Sequence, residues 1–537
     1  MQLLKKQIYF ISGMAFMLFC GIKWSLHLSS NMDILFGDEA EYMRNGLDLF
    51  KIIRNDWGPA YNIWYKFLSF FKSDTIQLYY LNYALGSVLI GLLFFVFLYQ
   101  HIKQKQVALY VGFCFLVSSI NINTWPRVSH FVIIILLTSL ILASLTSSNA
   151  KKWLIYSIAC FICAYARPDL MLSFFCCVPV TFYFIWKEKN AIKSFLPYLF
   201  ILLIVVLFFQ FVFGQPSATY KGGLDRLYSA FCQHYAMNYK MMHKDGFDAI
   251  TEWINFSKQQ FPNSHTLKEV ILNQPGLFLQ NLLLNCKNYL MILLLTVTSF
   301  VFPTGIFKSK KALILSVFIL LLLVVVVFAN KKYRDQFFVK LQDNKQLLLF
   351  LFIFGVPSLG MSIVIFPRMH YVLLHIILLA FIIALLLDSI TLEINMQWSY
   401  WLFFLLFIVI SPKSSSYAYM QFGSDMKNLC EQKLIRFLEK DKTHPHVVMT
   451  NYLNVTYILP KNYSEFSTEF ELKEGMSFRQ ILDERKIDII LVSVNIIKNP
   501  ILLKDTAWNQ FMRNPEPFGF NKVEYSNECE SYFLIKQ

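Results

Sequence analysis

The sequence predicts a mainly α-helical fold: a polytopic membrane helical bundle of about eleven spans, followed by a small external C-terminal α/β domain. Of its 537 residues, 56% are hydrophobic and 17% aromatic, and the mean hydropathy is +0.47. A soluble globular chain of this length is far less apolar. Long apolar runs recur as far as Ser411, and beyond it the composition becomes ordinary and charged. These observations separate a membrane part from a water-exposed part.

The spans follow from runs that approach the roughly 17 to 25 residues needed to cross a bilayer. The first run follows Lys5-Lys6 and has no small-x-small cleavage site, which favours an uncleaved first helix over a signal peptide. A transmembrane domain is expected over 1–411, with outer loops at 28–75 and 214–310, and an extracytoplasmic domain over 412–537. The predicted spans lie near 8–27, 78–100, 107–120, 131–147, 152–166, 170–186, 195–213, 311–329, 347–366, 371–388 and 398–411.

The basic residues predict the orientation. The formal net charge is +15, but the lysines sit in short runs between apolar segments, as cytoplasmic loops do, so no nucleic-acid partner is expected. Alternate loops then face outward, with the N-terminus cytoplasmic and the C-terminal domain periplasmic. The Lys, Ile, Phe and Asn bias favours a bacterial inner membrane. The apolar run 289–302 is predicted as an external or re-entrant helix, because counting it as a span reverses the loops that follow.

The C-terminal region has the pattern of a small α/β domain. Two short apolar runs, at 447–449 and 488–492, predict buried strands, and 478–485 predicts a helix. The region has too few glycines for a nucleotide-binding Rossmann unit. Two cysteine pairs in predicted external regions, Cys232 with Cys286 and Cys430 with Cys529, are candidate disulfides.

The first outer loop carries the candidate chemistry. Gly37-Asp38-Glu39-Ala40-Glu41-Tyr42 comes soon after the first apolar segment, where carboxylates are costly to desolvate and are often functional. Burial raises the pKa of a carboxyl group, so Asp38 or Glu39 could act as a general base on a hydroxyl. The alternative is that Asp38 caps a helix beginning at Glu39.

Three arginines adjoin prolines at the mouths of predicted helices: Arg127, Arg167 and Arg368. A guanidinium group is a planar fork that suits phosphate oxygens. These positions have the right depth to meet a lipid phosphate. The alternative is that they bind lipid head groups, or pair with Asp169 and Asp38.

A third group could contact a sugar. His370 and Tyr371 follow Arg368 and could hydrogen-bond a sugar ring or a phosphate, although a lone histidine at a helix end is more often structural. Trp57 and Tyr61 could stack on sugar faces, and Tyr42 lies within the acidic motif. Tryptophan and tyrosine also populate the membrane interface for purely physical reasons, and this is the favoured reading of Trp57 and Tyr61.

Together these features resemble the GT-C membrane glycosyltransferases, which include protein O-mannosyltransferases and the lipid A aminoarabinose transferase. The shared features are an outward Asp-Glu motif after the first helix, an Arg-Pro-acid turn, a late arginine at a helix mouth and an external C-terminal domain. The resemblance covers the topology of nearly the whole chain, through short motifs. The late motif departs from the family pattern: Arg368-Met369-His370-Tyr371 has two inserted residues and no following proline.

The resemblance implies an enzyme that takes a sugar from a polyprenyl-phosphate donor, usually with inversion. Asp38 matches the family's base, with Glu39 beside it in the motif, and Arg127, Arg167 and Arg368 match its phosphate-binding positions. The acceptor would be a hydroxyl of a glycan, lipid or protein of the cell envelope. No cofactor is expected. No metal is predicted, although Asp38, Glu39 and Glu41 could bind a divalent ion.

Two other classes of protein fit the same composition. A transporter or flippase would carry paired ionisable residues in mid-helix and internal repeats, and the polar residues here cluster outside the spans. An oligosaccharide ligase or polymerase would share the lipid-linked donor but rely on outer-loop arginines and a histidine. Replacement of Asp38 separates these classes from the glycosyltransferase.

Overall fold

The computed structural model describes residues 2–35, 37–51, 55, 57–189, 192–216, 225–243, 249, 252–300, 310–390, 396–415, 428–441, 443–451, 455, 458–468, 471–473 and 475–537. The chain forms two compact units. The first comprises Met1–Leu26, Phe50–Trp64 and Tyr83–Tyr417, and the second comprises His27–Leu49, Tyr65–Asn82 and Ala418–Gln537. The second unit therefore combines two segments of the N-terminal region with the C-terminal region, whereas the expected domains divide the chain once, at residue 411.

The chain is mainly helical as far as residue 410. Its helices in this part are α1 (Gln2–Ser25), α2 (Leu28–Asn31), α3 (Asp38–Leu47), α4 (Pro59–Leu68), α5 (Thr75–His101), α6 (Lys105–Leu116), α7 (Ser119–Asn123), α8 (Val128–Ser144), α9 (Asn149–Ala164), α10 (Met171–Lys187), α11 (Ile192–Phe213), α12 (Arg226–His243), α13 (Trp253–Gln260), α14 (Leu267–Asn273), α15 (Pro275–Val297), α16 (Lys310–Ala329), α17 (Lys331–Asp343), α18 (Lys345–Val364), α19 (Met369–Ser389) and α20 (Met396–Ile410).

Each of the eleven predicted spans coincides with a helix, which supports a multi-pass membrane protein. Among the described residues, eight helices are long and apolar enough to cross a bilayer, or nine if a bent pair counts as one span. Four of the eleven predicted spans are not among the eight: α8, α9 and α20 have only 17, 16 and 15 residues, and α16 counts only as part of the bent pair. One of the eight, α15, was not predicted to span. The bent pair is α16 and α17, which meet at 98° around Asn330.

The sequence predicts a separate helix over 289–302, of which residues 301–302 lie outside the described residues; the described part does not form a helix of its own. Residues 289–297 form the end of α15, a 23-residue helix that is itself long and apolar enough to span. Pro275 begins this helix, where a missing backbone N–H costs nothing. Just before it, α14 carries a capping box in which Thr266 and Glu269 satisfy each other's backbone N–H groups.

Aromatic and aliphatic side chains hold the helices of the first unit together. Phe16 of α1, Phe113 of α6 and Phe407 of α20 lie in one buried cluster, with the Phe113 and Phe407 rings stacked 4.3 Å apart. Close approach is visible between α18 and α19, where a Cβ on Gly355 would lie 3.1 Å from the His375 ring. A second cluster joins the helices α12 to α14 to Ile365. The helical pattern predicted for residues 214–285 is therefore confirmed over these helices.

The C-terminal part of the second unit is built on a five-stranded sheet. Its strands are β1 (His446–Thr450), β2 (Tyr463–Ser467), β3 (Ile489–Val492), β4 (Phe520–Val523) and β5 (Tyr532–Lys536), and its helices are α21 (Cys430–Leu438), α22 (Phe478–Glu484), α23 (Val494–Ile497), α24 (Pro500–Leu503) and α25 (Thr506–Arg513).

The strand order is β2-β1-β3-β5-β4, with β2, β1 and β3 parallel and β5 antiparallel to both of its neighbours. The predicted strands at 447–449 and 488–492 and the helix at 478–485 are confirmed as β1, β3 and α22. A core around Trp508, Phe511 and Phe478 covers the sheet.

Two contacts link the start of α21 to distant parts of the second unit, one through Asp33 and the other through Cys529. The Asp33 carboxylate accepts the backbone N–H groups of Glu431 and Gln432 at 2.9 and 3.0 Å, which satisfies free donors in the first turn of α21. A disulfide joins Cys430 to Cys529. This predicted pair is confirmed, whereas Cys232 and Cys286 are free thiols, so the other predicted pair is wrong.

Candidate functional site

The acidic motif forms the first turn of α3. The helix begins at Asp38, and Gly37 is its N-cap with φ +91°, a conformation that side-chain-bearing residues rarely adopt. No side chain caps the helix, so the expectation that Asp38 caps a helix starting at Glu39 is wrong. Asp38, Glu39 and Glu41 all lie in the first turn, where the helix dipole favours negative charge.

Asp38 and Glu39 have opposite environments. Asp38 is half-buried, and its carboxylate has no hydrogen bond or ion pair with any residue that the structure describes. Glu39 is fully buried and accepts hydrogen bonds from the Tyr65 hydroxyl and from Asn82 Nδ2, the latter at 3.0 Å. Asn82 also donates to the Tyr65 oxygen at 2.9 Å. Asp38 is therefore the carboxylate free to react, and the contacts of Glu39 favour a positioning role.

The rest of α3 packs inside the second unit. Tyr42 is 7% exposed, so little of its ring is available to a substrate. Arg44 pairs with Asp48 at 3.0 Å, and Lys461 also reaches Asp48, at 2.6 Å. These contacts anchor the helix behind Asp38. In its first turn Asp38 is half-buried, whereas Glu39, Ala40 and Glu41 are buried.

Arg127 lies in a cage of backbone oxygens. The side chain is 1% exposed. Its Nη1 donates to three carbonyls, those of Asn121, Ile122 and Thr124, at 3.0 to 3.2 Å, and its Nη2 donates to the Tyr83 carbonyl and to Ser87 Oγ. The guanidinium also lies 4.1 Å from the Tyr83 ring centre. These contacts favour a structural role for Arg127, and phosphate binding by this residue stays a prediction.

Arg167 is also engaged within the first unit. It is 4% exposed and makes a two-pronged pair with Asp169, at 3.2 Å from Nε and 2.6 Å from Nη2. Further hydrogen bonds reach Ser129, Ser358 and the His370 carbonyl. The pairing with Asp169 is one of the alternatives that the sequence left open. Since its charge is neutralised, Arg167 is poorly placed to take a second anion.

Arg368 differs from the other two arginines. It is half-buried, is the N-cap residue of α19, and its side chain has no hydrogen bond or carboxylate partner among the residues described. No side chain caps this 21-residue helix. A helix N-terminus and a free guanidinium together form a site suited to an anion. Of the three predicted phosphate ligands, Arg368 is the one with its charge available.

A histidine that the sequence analysis did not single out lies beside Arg368. His234 of α12 is 3% exposed, its ring stacks on Phe366 at 5.1 Å, and its Nδ1 is buried without a partner among the described residues. Burial, and then the charge of Arg368, holds the pKa of His234 well below its usual range, so the ring is neutral at pH 7. The sequence carried a signal for this placement. His234 follows Phe231 by three residues on the buried face of α12.

His370 and Tyr371 lie in the first turn of α19. His370 is 5% exposed, and its Nδ1 is another buried atom that has no partner within the described part of the chain. Tyr371 is half-buried, and its ring lies 4.6 Å from the Arg167 guanidinium. Both residues therefore belong with Arg167 and Arg368 around the start of α19, as their spacing predicts.

Trp57 and Tyr61 have little surface for stacking on a sugar. Trp57 is 8% exposed and lies 4.6 Å from the Arg226 guanidinium. Tyr61 is fully buried, with its ring 5.7 Å from that of Phe131. Their burial within the first unit favours packing over substrate binding. A substrate contact by either ring stays a prediction.

The predicted residues therefore form two groups. Arg167, Arg368, His370 and Tyr371 come together in the first unit, with His234 added, whereas Asp38, Glu39 and Tyr42 lie in the second. Among known protein families, curated proteins and solved structures, nothing matches this chain. The structure thus defines the protein as a mainly helical, multi-pass membrane protein with a small sheet domain.

Proposed function

We propose that this protein is an integral membrane glycosyltransferase. It moves a sugar from a polyprenyl-phosphate donor to an acceptor hydroxyl on the outer face of the membrane, with inversion, for glycosylation of a cell-envelope glycan, lipid or protein. The observation that carries the proposal is the Asp38 carboxylate. It is half-buried at the start of α3 and makes no hydrogen bond or ion pair with the described residues, as a general base awaiting its substrate would be.

Asp38 would act on the acceptor. As the acceptor oxygen attacks the anomeric carbon, an Asp38 oxygen takes the hydroxyl proton. The bond between the anomeric carbon and the phosphate oxygen breaks, and its electron pair leaves with the phosphate. Attack from the face opposite the leaving group inverts the anomeric configuration. The neighbouring Glu39, held by Tyr65 and Asn82, fixes the first turn of α3 and so the direction of Asp38.

Arg368 would hold the leaving phosphate. Its uncommitted guanidinium and the N-terminus of α19 supply positive potential where negative charge grows on the phosphate. His234 is neutral and would add a hydrogen bond through Nδ1 without adding charge. A polyprenyl chain enters sideways from the bilayer, which a helix mouth at the membrane surface permits.

The placement of ionisable groups weighs against a transporter. Arg127, Arg167 and Arg368 are each the N-cap residue of a helix or helical turn, and Asp388 lies in the last turn of α19, paired with Lys340. A proton or ion relay places such groups along the middle of the spans. Here Arg127, Arg167 and Asp388 make contacts at helix ends. Arg368 stands at a helix end with no hydrogen bond or carboxylate partner among the described residues, which suits an enzyme that keeps one cation for a ligand.

Replacement of Asp38 tests the proposal. In Asp38→Asn, transfer from polyprenyl-phosphate sugars in membranes should fall by about 10² to 10⁴-fold, the usual contribution of a positioned base. Asp483→Asn is the matched control, since Asp483 is an exposed acid on α22. Full activity in a folded Asp38→Asn protein refutes the assignment. Reporter fusions after residues 305, 340 and 415 test the proposed orientation, with a cytoplasmic N-terminus and a periplasmic C-terminal domain.

A further inference from the structure

A cleft of about 310 Å³ opens at one end of the strands of the C-terminal sheet. The parallel strands β1 and β3 lie side by side, and the residues directly after them, Asn451 and Ser493, both line the cleft. The loop that ends at Ser531 also lines the cleft, because β5 is antiparallel to β3 and begins beside the C-terminal end of β3. The cleft is therefore at the carboxyl ends of the parallel strands.

The carboxyl ends of β1 and β3 form the topological switch point of the sheet. From β1 the chain moves to β2 on one side, and then crosses to β3 on the other side of β1. The connections leave in opposite directions, so a crevice remains between the carboxyl ends of β1 and β3. Open α/β sheets bind their ligands in this crevice. The position marks a binding site independently of which residues line it.

The lining is rich in uncharged hydrogen-bonding groups. It includes three amides, of Asn428, Asn451 and Asn495, and two hydroxyls, of Ser493 and Ser531. Ser493 Oγ donates to Asn451 Oδ1 at 2.7 Å, which turns the Asn451 amide and leaves its Nδ2 uncommitted among the described residues. Asn495 is exposed, and its side chain makes no hydrogen bond with the described residues. Groups that both donate and accept match the hydroxyls of a sugar.

Four carboxyl groups complete the lining: Asp33, Glu431, Glu528 and Glu530. Asp33 is committed to capping α21, and Glu528 pairs with Lys433. Glu431 Oε2 is buried and has no partner in the described part of the chain. Burial, and then the charge of Asp33, raises the pKa of Glu431 to about 8, so at neutral pH its carboxyl group keeps a proton that it can donate.

The charges select against anionic ligands. None of the described residues lining the cleft is Lys, Arg or His, so a phosphate or an acidic sugar would meet carboxylates without a counter-charge. No three His, Cys, Asp or Glu side chains among the described residues are arranged to hold a metal ion. The volume is at the lower end of the ~300 to 1,000 Å³ of small-molecule sites. A mono- or disaccharide fits these limits.

We propose that this cleft is a carbohydrate-binding site, which takes one or two rings of a neutral sugar through Asn451, Asn495, Ser493 and the Glu431 carboxyl group. It goes beyond the transferase proposed above, because binding here requires no sugar transfer. A protein with Asp38→Asn should therefore keep this site. Failure of either proposal leaves the other standing.

Saturation-transfer NMR on the full-length protein tests the site. The protein is placed in lipid nanodiscs, because detergents with sugar head groups would compete. The neutral probes are maltose, cellobiose, mannobiose and chitobiose, and the ionic probes are glucuronate, inorganic phosphate and spermidine. At least one neutral disaccharide should bind. Asn495→Ala should weaken its affinity about fivefold, near the value of one hydrogen bond, and Glu431→Leu should weaken it further.

The controls separate this cleft from any other sugar-binding surface. Gln480→Ala, on the exposed face of α22, should leave affinity unchanged, and so should Asp38→Asn. Asn495 is exposed and lies outside the core, so its variant should fold even where Glu431→Leu does not. Binding of none of the neutral probes, binding of an ionic probe alone, or equal affinity in Asn495→Ala and Gln480→Ala overturns the proposal.

Discussion

Glu431→Gln should stabilise the C-terminal sheet at alkaline pH. In the folded protein, burial and then the charge of Asp33 raise the pKa of Glu431 from 4.5 to about 8. The unfolded chain releases the same proton near 4.5, so between these values the folded state binds more protons than the unfolded state. Stability therefore falls as pH rises through this window. Glutamine has the same shape and remains neutral, so the variant escapes this loss.

The size of the effect follows from the two pKa values. The gap between 4.5 and about 8, at roughly 1.4 kcal/mol for each tenfold change in proton affinity, corresponds to on the order of 5 kcal/mol. Glu431 borders an open cleft, and water entering the cleft will stabilise the charged form and reduce this figure. The gain of the variant over the wild-type protein should be near zero at pH 4, should grow up to pH 8 and should then level off.

Backbone hydrogen exchange in β1 and β3 measures this stability in the full-length protein, because central strands exchange through the larger openings of a domain. Wild-type and Glu431→Gln proteins are compared at the same pH, so that the intrinsic pH dependence of exchange cancels. Asp483→Asn, at an exposed position of α22, is the control and should follow the wild type. Equal protection of wild type and variant at pH 8.5, or greater protection of the wild type, would refute the reasoning.

Three further predictions concern the candidate phosphate ligand Arg368 and two contacts that stabilise the second unit. Arg368→Ala should weaken use of a polyprenyl-phosphate donor about 10- to 100-fold, as the loss of a charged hydrogen bond does, and Arg368→Lys should recover part of it. Tyr65→Phe should lower the free energy of unfolding by about 1 to 3 kcal/mol, because the buried Glu39 loses a donor. Cys430→Ser should destabilise the second unit by about 4 to 5 kcal/mol, since the disulfide to Cys529 spans 99 residues.

Each of these has a matched comparison. Arg334→Ala removes an arginine that is 42% exposed in its side chain and should leave donor use intact; an equal loss in both arginine variants contradicts the assignment to Arg368. Tyr183→Phe, on the exposed face of α10, should melt like the wild type. If Tyr65→Phe does the same, the hydroxyl contributes nothing to stability. For Cys430→Ser, the comparison is Cys176→Ser at an exposed free thiol.

The sequence predicted most of the elements but fewer of their contacts. Apolar runs located eleven of the helices, because burial in lipid requires such runs whatever their neighbours, but they did not predict α15 as a span. It also identified β1, β3 and the Cys430 disulfide. It missed β2, β4 and β5, which are short and whose faces become visible only through pairing. The sequence did not predict the contact made by Asp33, which lies between α2 and α3. Its carboxylate caps α21, a helix nearly 400 residues later in the chain.

For the candidate site, the sequence supplied a set of residue types and the tertiary structure ranked them. Asp38 and Glu39 are neighbours with similar chemistry, and only folding leaves one carboxylate uncommitted and buries the other with Tyr65 and Asn82. Arg167 and Arg368 each adjoin a proline. Their difference depends on Asp169, which neutralises one guanidinium and leaves the other available.

The sequence by itself determined the class of the molecule, because the solvent preference of long apolar runs and charged loops is a property of composition. Only the tertiary structure decided which ionisable groups are available to a ligand, since availability depends on partners distant in the chain. His234 and Glu431 show this most clearly. Each is unremarkable in the sequence, and each acquires its altered pKa from burial and from a charge that folding brings near: Arg368 for His234, and Asp33 for Glu431.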